Sequence, residues 1–255
     1  MPGRVGTTHH IWNILRQRTT TTTATTTTTK TGVYSSVQRG IPVMACAVHE
    51  EKNKVRVLCL HGYMQDGTLF RNKIGSLRKA MKRHAEFFFV DAPFVVNGEE
   101  EERQGRSWWE WKNACRPSRS AEYHGWDVSQ NVISQAIHEH GPIDVILGFS
   151  QGATAAALYA LTGSCKVNNI VVISGFLPRD PVYADNIQNA PEERKQAVRG
   201  FFVSGEKDER VSLEQSELLW KCFPKEQSTI LVHQGGHFVP TRACTKQLAE
   251  FLQTV

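Results

Sequence analysis

The chain has 255 residues, 40% of them hydrophobic and 22% charged, which supplies the core of a globular α/β protein and excludes a disordered one. No apolar run approaches the ~18 residues of a membrane-spanning helix, so an integral membrane segment is not expected. The net charge of +5 sits in the first 49 residues, where Arg4, Arg16, Arg18, Lys30 and Arg39 stand without one acid. From Glu50 onward 25 basic residues face 25 acidic ones, and no basic stripe of the kind nucleic acid requires is present.

Residues 1–49 read as a leader rather than as fold. Ten threonines interrupted by Ala24 fill residues 19–29, a low-complexity tract with too little apolar surface to order itself. Residues 9–18 form a short amphipathic stretch before it. A basic, hydroxyl-rich, acid-free composition is that of a mitochondrial or other organelle transit peptide; the competing reading is an inert extension, with a second start at Met44. Six scattered cysteines (Cys46, Cys59, Cys115, Cys165, Cys222, Cys244) without C-x-x-C spacing predict free thiols and a cytoplasmic, reducing location.

Residues 50–255 read as one domain. Val55–Leu60 (VRVLCL) is an apolar strand running into His61-Gly62. Phe70, Ile74, Leu77 and Met81 recur at helical spacing and predict a helix over 70–83. Residues 86–90 are a second strand, closed by Asp91-Ala92-Pro93. Residues 97–127 break the rhythm with four acids at 99–102 and with Trp108, Trp109, Trp111 and Trp126; a lid over a site and aromatic packing at the domain edge are two readings of this insert. A helix follows over 128–139, a strand over 144–147, an Ala-rich helix over 151–161 and a strand over 170–173. Strands over 200–203 and 229–232 flank a helix over 213–221, and a last helix covers 242–252. Apolar strands alternating with helices predict a mostly parallel central sheet with helices on both faces. Sites on such sheets lie beyond the carboxyl ends of the strands.

Gly148-Phe149-Ser150-Gln151-Gly152 is G-x-S-x-G with a strand before it and a helix after it. A serine on such a turn has a strained backbone that needs small neighbours two residues either side, and the turn presents Oγ at the top of the sheet. The Gln151 N–H opens the helix, where free donors and the dipole favour a developing oxyanion. Serine requires a base, and only His233 and His237 follow it in sequence. His233 ends a strand, whereas His237 follows Gly235-Gly236 in a loop free to aim an imidazole, so His237 is the expected base. The acid is expected after the preceding strand; Asp208 is the first choice, and Glu206, Glu209, Asp180 and Asp185 compete with it on spacing. The loop after the first strand offers the Tyr63 N–H as a second oxyanion donor, with His61 bracing the loop. Cys59 and His61 lack further ligands in register, a poor zinc site, and no metal or cofactor is expected.

The segments VRVLCLHGYMQDG, GRSWWEW, GPIDVILGFSQGA, VVISGF, GEKDERV and HQGGHFVP span nearly all of residues 54–252 in order. The chain resembles the FSH-type serine hydrolases, including the OVCA-type esterases, and more distantly the acyl-protein thioesterases. The resemblance implies a single-domain α/β-hydrolase fold without a large cap. It places the acid of the triad in the G-x-x-D turn, hence at Asp208, beside Ser150 and His237. It also implies carboxylesterase activity on small-molecule esters of medium to long acyl chains. A thioesterase and a non-catalytic binding protein on the same scaffold are the alternatives.

Overall fold

The computed structural model describes residues 54–97, 104–112 and 120–255. The Thr-rich leader, the acidic run at 99–102, Cys46 and Cys115 lie outside the described residues.

Strand β1 (Val55–Leu60) is followed by helices α1 (Gly67–Lys73) and α2 (Gly75–Met81) and by β2 (Ala85–Val90). Short strands β3 (Phe94–Asn97), β4 (Gln104–Ser107), β5 (Glu110–Trp111) and β6 (Tyr123–His124) then form two antiparallel pairs. The alternation resumes with α3 (Trp126–His140), β7 (Val145–Phe149), α4 (Gln151–Thr162) and β8 (Asn169–Ile173). It ends with α5 (Pro181–Gln188), α6 (Glu192–Ala197), β9 (Arg199–Gly205), α7 (Leu213–Trp220), β10 (Ser228–His233) and α8 (Thr241–Gln253). Six strands pair in parallel in the order β10-β9-β8-β7-β1-β2.

Alternate side chains of a strand point to opposite faces, and both faces here are buried, which is why the strands read as continuous apolar runs. Leu58, Leu60, Ile146, Ile170, Val172 and Phe202 face one core together with α3 and α4. Val57, Cys59, Val145, Leu147, Val171, Ile173, Phe201 and Val203 face the other, closed by α1, α2 and α8. The Ala-rich helix α4 is buried over residues 151–161; small side chains let it lie close against the sheet.

The helix expected over 70–83 is two helices. Ile74 (φ −95°, ψ 19°) ends α1 and begins α2. Phe70, Ile74, Leu77 and Met81 are all buried in one core, so the apolar spacing runs unbroken across a broken backbone. Of the insert, Trp108 and Trp109 are fully buried in the core, as the packing reading has it. Cys59, Cys165, Cys222 and Cys244 are free thiols, and among the described residues no helix is long and apolar enough to cross a membrane.

From β1 the chain moves to β2 on one side, and from β7 it moves to β8 on the other. The loops leaving these adjacent strands therefore diverge, opening a crevice at their carboxyl ends. Tyr63 follows β1 and Ser150 follows β7, one on each side of it.

Candidate active site

Ser150 has φ 55° and ψ −119°, a region that costs a non-glycine residue about 1–3 kcal/mol and persists only where the surroundings impose it. They do so through its backbone. Its N–H donates to the Ile173 carbonyl of β8 (2.8 Å), and its carbonyl accepts from the amides of Ala153 and Thr154 in the first turn of α4. The flanking glycines are demanded by contact. A Cβ on Gly148 would lie 2.1 Å from the Gly152 carbonyl oxygen, and one on Gly152 would lie 2.3 Å from the carbonyl oxygens of both Leu60 and His61. The turn that exposes the serine is thus wedged directly against the end of β1.

Asp208 lies in the turn after β9. Its Oδ1 accepts from the amides of Arg210 and Val211, both at 2.9 Å, which leaves Oδ2 to the Nδ1 of His237 at 2.7 Å. Burial pushes the Asp208 carboxyl up, but the Val211 amide, the His237 ring and the Arg210 amide outweigh it and hold the group below its ordinary value of 3.8. An ionised carboxylate only accepts, so His237 Nδ1 carries the proton and Nε2 turns its lone pair outward. That lone pair meets the Ser150 hydroxyl at 3.1 Å. The Phe149 ring lies 4.8 Å from the imidazole and supports it from the sheet side.

The competing acids are occupied or turned away. Glu206 and Glu209 are exposed. Asp180 caps α5 by accepting from Val182 and Tyr183, and also accepts from the Tyr123 amide; Asp185 accepts from Asn189. His233 is a buried strand end whose Nδ1 accepts from the Gly235 N–H at 3.1 Å, so it shapes the loop that carries His237. The structure therefore brings Ser150, His237 and Asp208 into one hydrogen-bonded line.

Tyr63 and Gln151 supply backbone N–H groups on opposite sides of the crevice. Neither amide has an acceptor among the described residues. His61 is fully buried. Its Nδ1–H donates to the Gly62 carbonyl at 2.8 Å and its Nε2 accepts from the Ala92 amide at 3.0 Å, while burial lowers its pKa below 6.5. A neutral ring spent on two backbone groups is a brace for the loop.

Several contacts of the site escape sequence reading. The Gln151 side chain is buried and accepts from the Trp108 amide. Thr154 Oγ1 donates to the Phe176 carbonyl and accepts from its amide, which fastens the loop after β8 to the helix behind the serine. Thr154 reads simply as a polar break in an alanine run, and spacing carries no sign of either contact.

A family model described as "Serine hydrolase (FSH1)" matches residues 50–248. Esterase CG5412 of Drosophila melanogaster is 34% identical over 210 residues, 78% of this chain and 73% of the relative. Human esterase OVCA2 is 32% identical over 216 residues, covering 76% of this chain and 92% of the relative. The solved structure of Zea mays acyl-protein thioesterase 2 superposes with a TM-score of 0.60 at 17% identity, over 79% of this chain and 94% of that one, a likeness of fold. The parallel sheet with its serine on a strand-to-helix turn is the α/β-hydrolase fold, and the chain belongs to the FSH1 serine hydrolase family, as an enzyme that acts on carboxylic ester bonds.

Proposed function

We propose that Ser150, His237 and Asp208 are the catalytic triad of a carboxylesterase working through an acyl-enzyme, with the amides of Tyr63 and Gln151 as its oxyanion hole. The observation that carries this reading is the hydrogen-bonded line from Asp208 Oδ2 through His237 to Ser150 Oγ, at 2.7 and 3.1 Å. His237 Nε2 takes the serine proton as Oγ attacks the acyl carbon. The carbonyl oxygen becomes an oxyanion, which the two free amides stabilise. Asp208 holds the imidazolium that results. Collapse breaks the bond to the alkoxy oxygen, which leaves as an alcohol carrying the proton from His237. Water then attacks the acyl-enzyme, His237 again taking the proton, and the free acid departs with Ser150 restored.

The acyl group is apolar and of medium to long chain. Phe238, next to the base, is 50% exposed, and Phe176, whose main chain is held to α4 through Thr154, and its neighbour Leu177 are only partly buried. Apolar surface on the loops that carry the base and follow β8 suits a hydrocarbon tail.

The test is covalent labelling with a fluorophosphonate, followed by hydrolysis of 4-nitrophenyl esters of increasing chain length. Ser150→Ala abolishes labelling and hydrolysis while leaving the melting temperature near that of the parent. Labelling of that variant at another residue would overturn the triad. Rates that fall steadily from acetate to decanoate would overturn the chain-length reading alone.

A further inference from the structure

Trp108 is a core residue with no place in the acid–base chemistry, yet it bonds to both segments that carry the free amides. Its backbone N–H donates to Gln151 Oε1 at 3.1 Å. Its indole Nε1–H donates to the His61 carbonyl at 2.8 Å, the same carbonyl against which Gly152 is wedged. Its own carbonyl accepts from Ser129 Oγ on α3, which anchors it to the body of the fold. The indole and the His61 ring lie 5.4 Å apart.

The neighbours of Trp108 repeat the pattern. Ser107 Oγ accepts from Gln151 Nε2 at 2.9 Å. The Met64 amide donates to the Arg106 carbonyl at 3.0 Å, and the Arg106 amide to the Gln65 carbonyl at 2.9 Å. A Cβ on Gly105 would fall 2.6 Å from the Met64 backbone, so β4 and the Tyr63 loop are in close backbone contact. Residues 105–108 thus grip the loop after β1 with one set of bonds and the start of α4 with another. Gln151, buried as a whole residue, is divided between two tasks: its main-chain N–H has no acceptor among the described residues, while its carboxamide is bonded to Ser107 and Trp108.

We propose that Trp108 is a positioning residue that fixes the distance and angle between the Tyr63 and Gln151 amides, and so sets how well the site stabilises the oxyanion. The inference rests on the oxyanion hole proposed above. Its physical basis is that fixed dipoles stabilise a developing charge only when they are already aimed at it, and that small displacements cost rate. An indole N–H bonded to the His61 carbonyl holds the chain one residue before Gly62 and two before Tyr63. The Trp108 amide holds Gln151 itself.

Trp108→Phe tests this in the full chain, because it keeps an aromatic ring and the backbone N–H while removing the indole N–H bonded to His61; the smaller ring also leaves a cavity, whose cost falls on the melting temperature. Active sites are counted by fluorophosphonate labelling carried to completion, so that loss of folded protein does not register as loss of rate. Three quantities are measured: kcat and KM on a 4-nitrophenyl ester, the affinity of a trifluoromethyl ketone whose serine adduct carries the oxyanion, and the melting temperature. The expected result is a fall of about tenfold in kcat per labelled site, a matching loss of ketone affinity and a KM within about twofold of the parent. A purely structural tryptophan lowers only the melting temperature; unchanged kcat per site and unchanged ketone affinity therefore overturn the proposal. Should Trp108→Phe not fold, Ser107→Ala, which removes the acceptor of Gln151 Nε2, carries the test: about threefold losses in kcat and ketone affinity support it, and none overturns it. Ser150→Ala separates the two levels. Residual hydrolysis in that variant overturns the site reading as a whole, whereas a dead Ser150→Ala beside an unaltered Trp108→Phe overturns only the positioning role.

Discussion

Asp208 and His237 hang from loops after β9 and β10 and reach Ser150 through single side-chain hydrogen bonds, with the half-exposed Phe238 alongside. Across the serine, the segments bearing the Tyr63 and Gln151 amides are fixed by a buried web of His61, Ser107, Trp108 and the Gln151 carboxamide. On the triad proposed above, the first region moves protons and changes charge: His237 stays partly accessible, while the Asp208 carboxylate behind it is fully buried. The second presents dipoles whose value lies in not moving. The fold serves each need with different material: loop side chains on one side, core hydrogen bonds on the other.

The two regions differ most at Asp208. In Asp208→Asn the amide nitrogen replaces the acceptor at His237 Nδ1, so the ring holds its proton on Nε2 and donates toward Ser150. A drop of about 10⁴-fold in kcat/KM is expected, with the fold retained, as read by steady-state kinetics alongside circular dichroism. A loss below tenfold would mean that the acid does not set the tautomer.

Gly152→Ala probes the rigid side. The added Cβ must displace the carbonyl of Leu60 or His61, now 2.3 Å away, and those atoms are backbone rather than a side chain that can swing aside. Destabilisation of about 1–3 kcal/mol is expected, measured by urea unfolding, together with reduced kcat because the Tyr63 loop shifts. An active variant of parental stability would show the web to be slack.

Acid acts on both regions. Burial lowers the His61 pKa below 6.5, so between that value and its folded pKa the unfolded chain binds a proton that the native chain refuses. Stability therefore falls as pH drops below about 6.5, by at most about 1.4 kcal/mol per pH unit for this ring. Asp208 is depressed below 3.8; its contribution is complete above that value and is lost as pH falls through the lower folded pKa. His233, at the end of β10, is lowered by burial as well, against a raising effect of the Asp208 charge, so it adds to the upper stage. Melting temperature against pH should then decline in two stages, with Asp208→Asn weakening the lower one and leaving the His61 share of the upper one. Loss of the upper stage in that variant would contradict the assignment.

Most of the sheet and the serine turn were legible because burial on both faces writes strands as unbroken apolar runs, and because G-x-S-x-G between a strand and a helix has one steric solution. The pairs β3–β4 and β5–β6 were not, since residues 94–124 mix polar and aromatic side chains with no period. The break at Ile74 was hidden by buried residues that keep helical spacing across it. Helix α5 carries its own signal in Asp180-Pro181, a cap followed by proline at the first helical position. Spacing left five carboxylates in contention. Resemblance favoured Asp208, and what singles it out physically is the pair of amides at Arg210 and Val211, which fix one oxygen and aim the other. Trp108 was illegible for a different reason: its partner is the carbonyl of His61, 47 positions away, and a backbone atom leaves no mark in a sequence.

The amide of Ser150 donates to the carbonyl of Ile173, so the turn is completed by the strand that comes after it. His237 in turn enters only once β10 lies beside β9. During refolding, then, the serine turn is not complete as soon as β7 and α4 meet; it must wait for β8 to pair with β7, and the proposed triad for β10 to pair with β9. On the triad proposed above, turnover requires both pairings, so this enzyme's own reaction reports that this side of its sheet is complete.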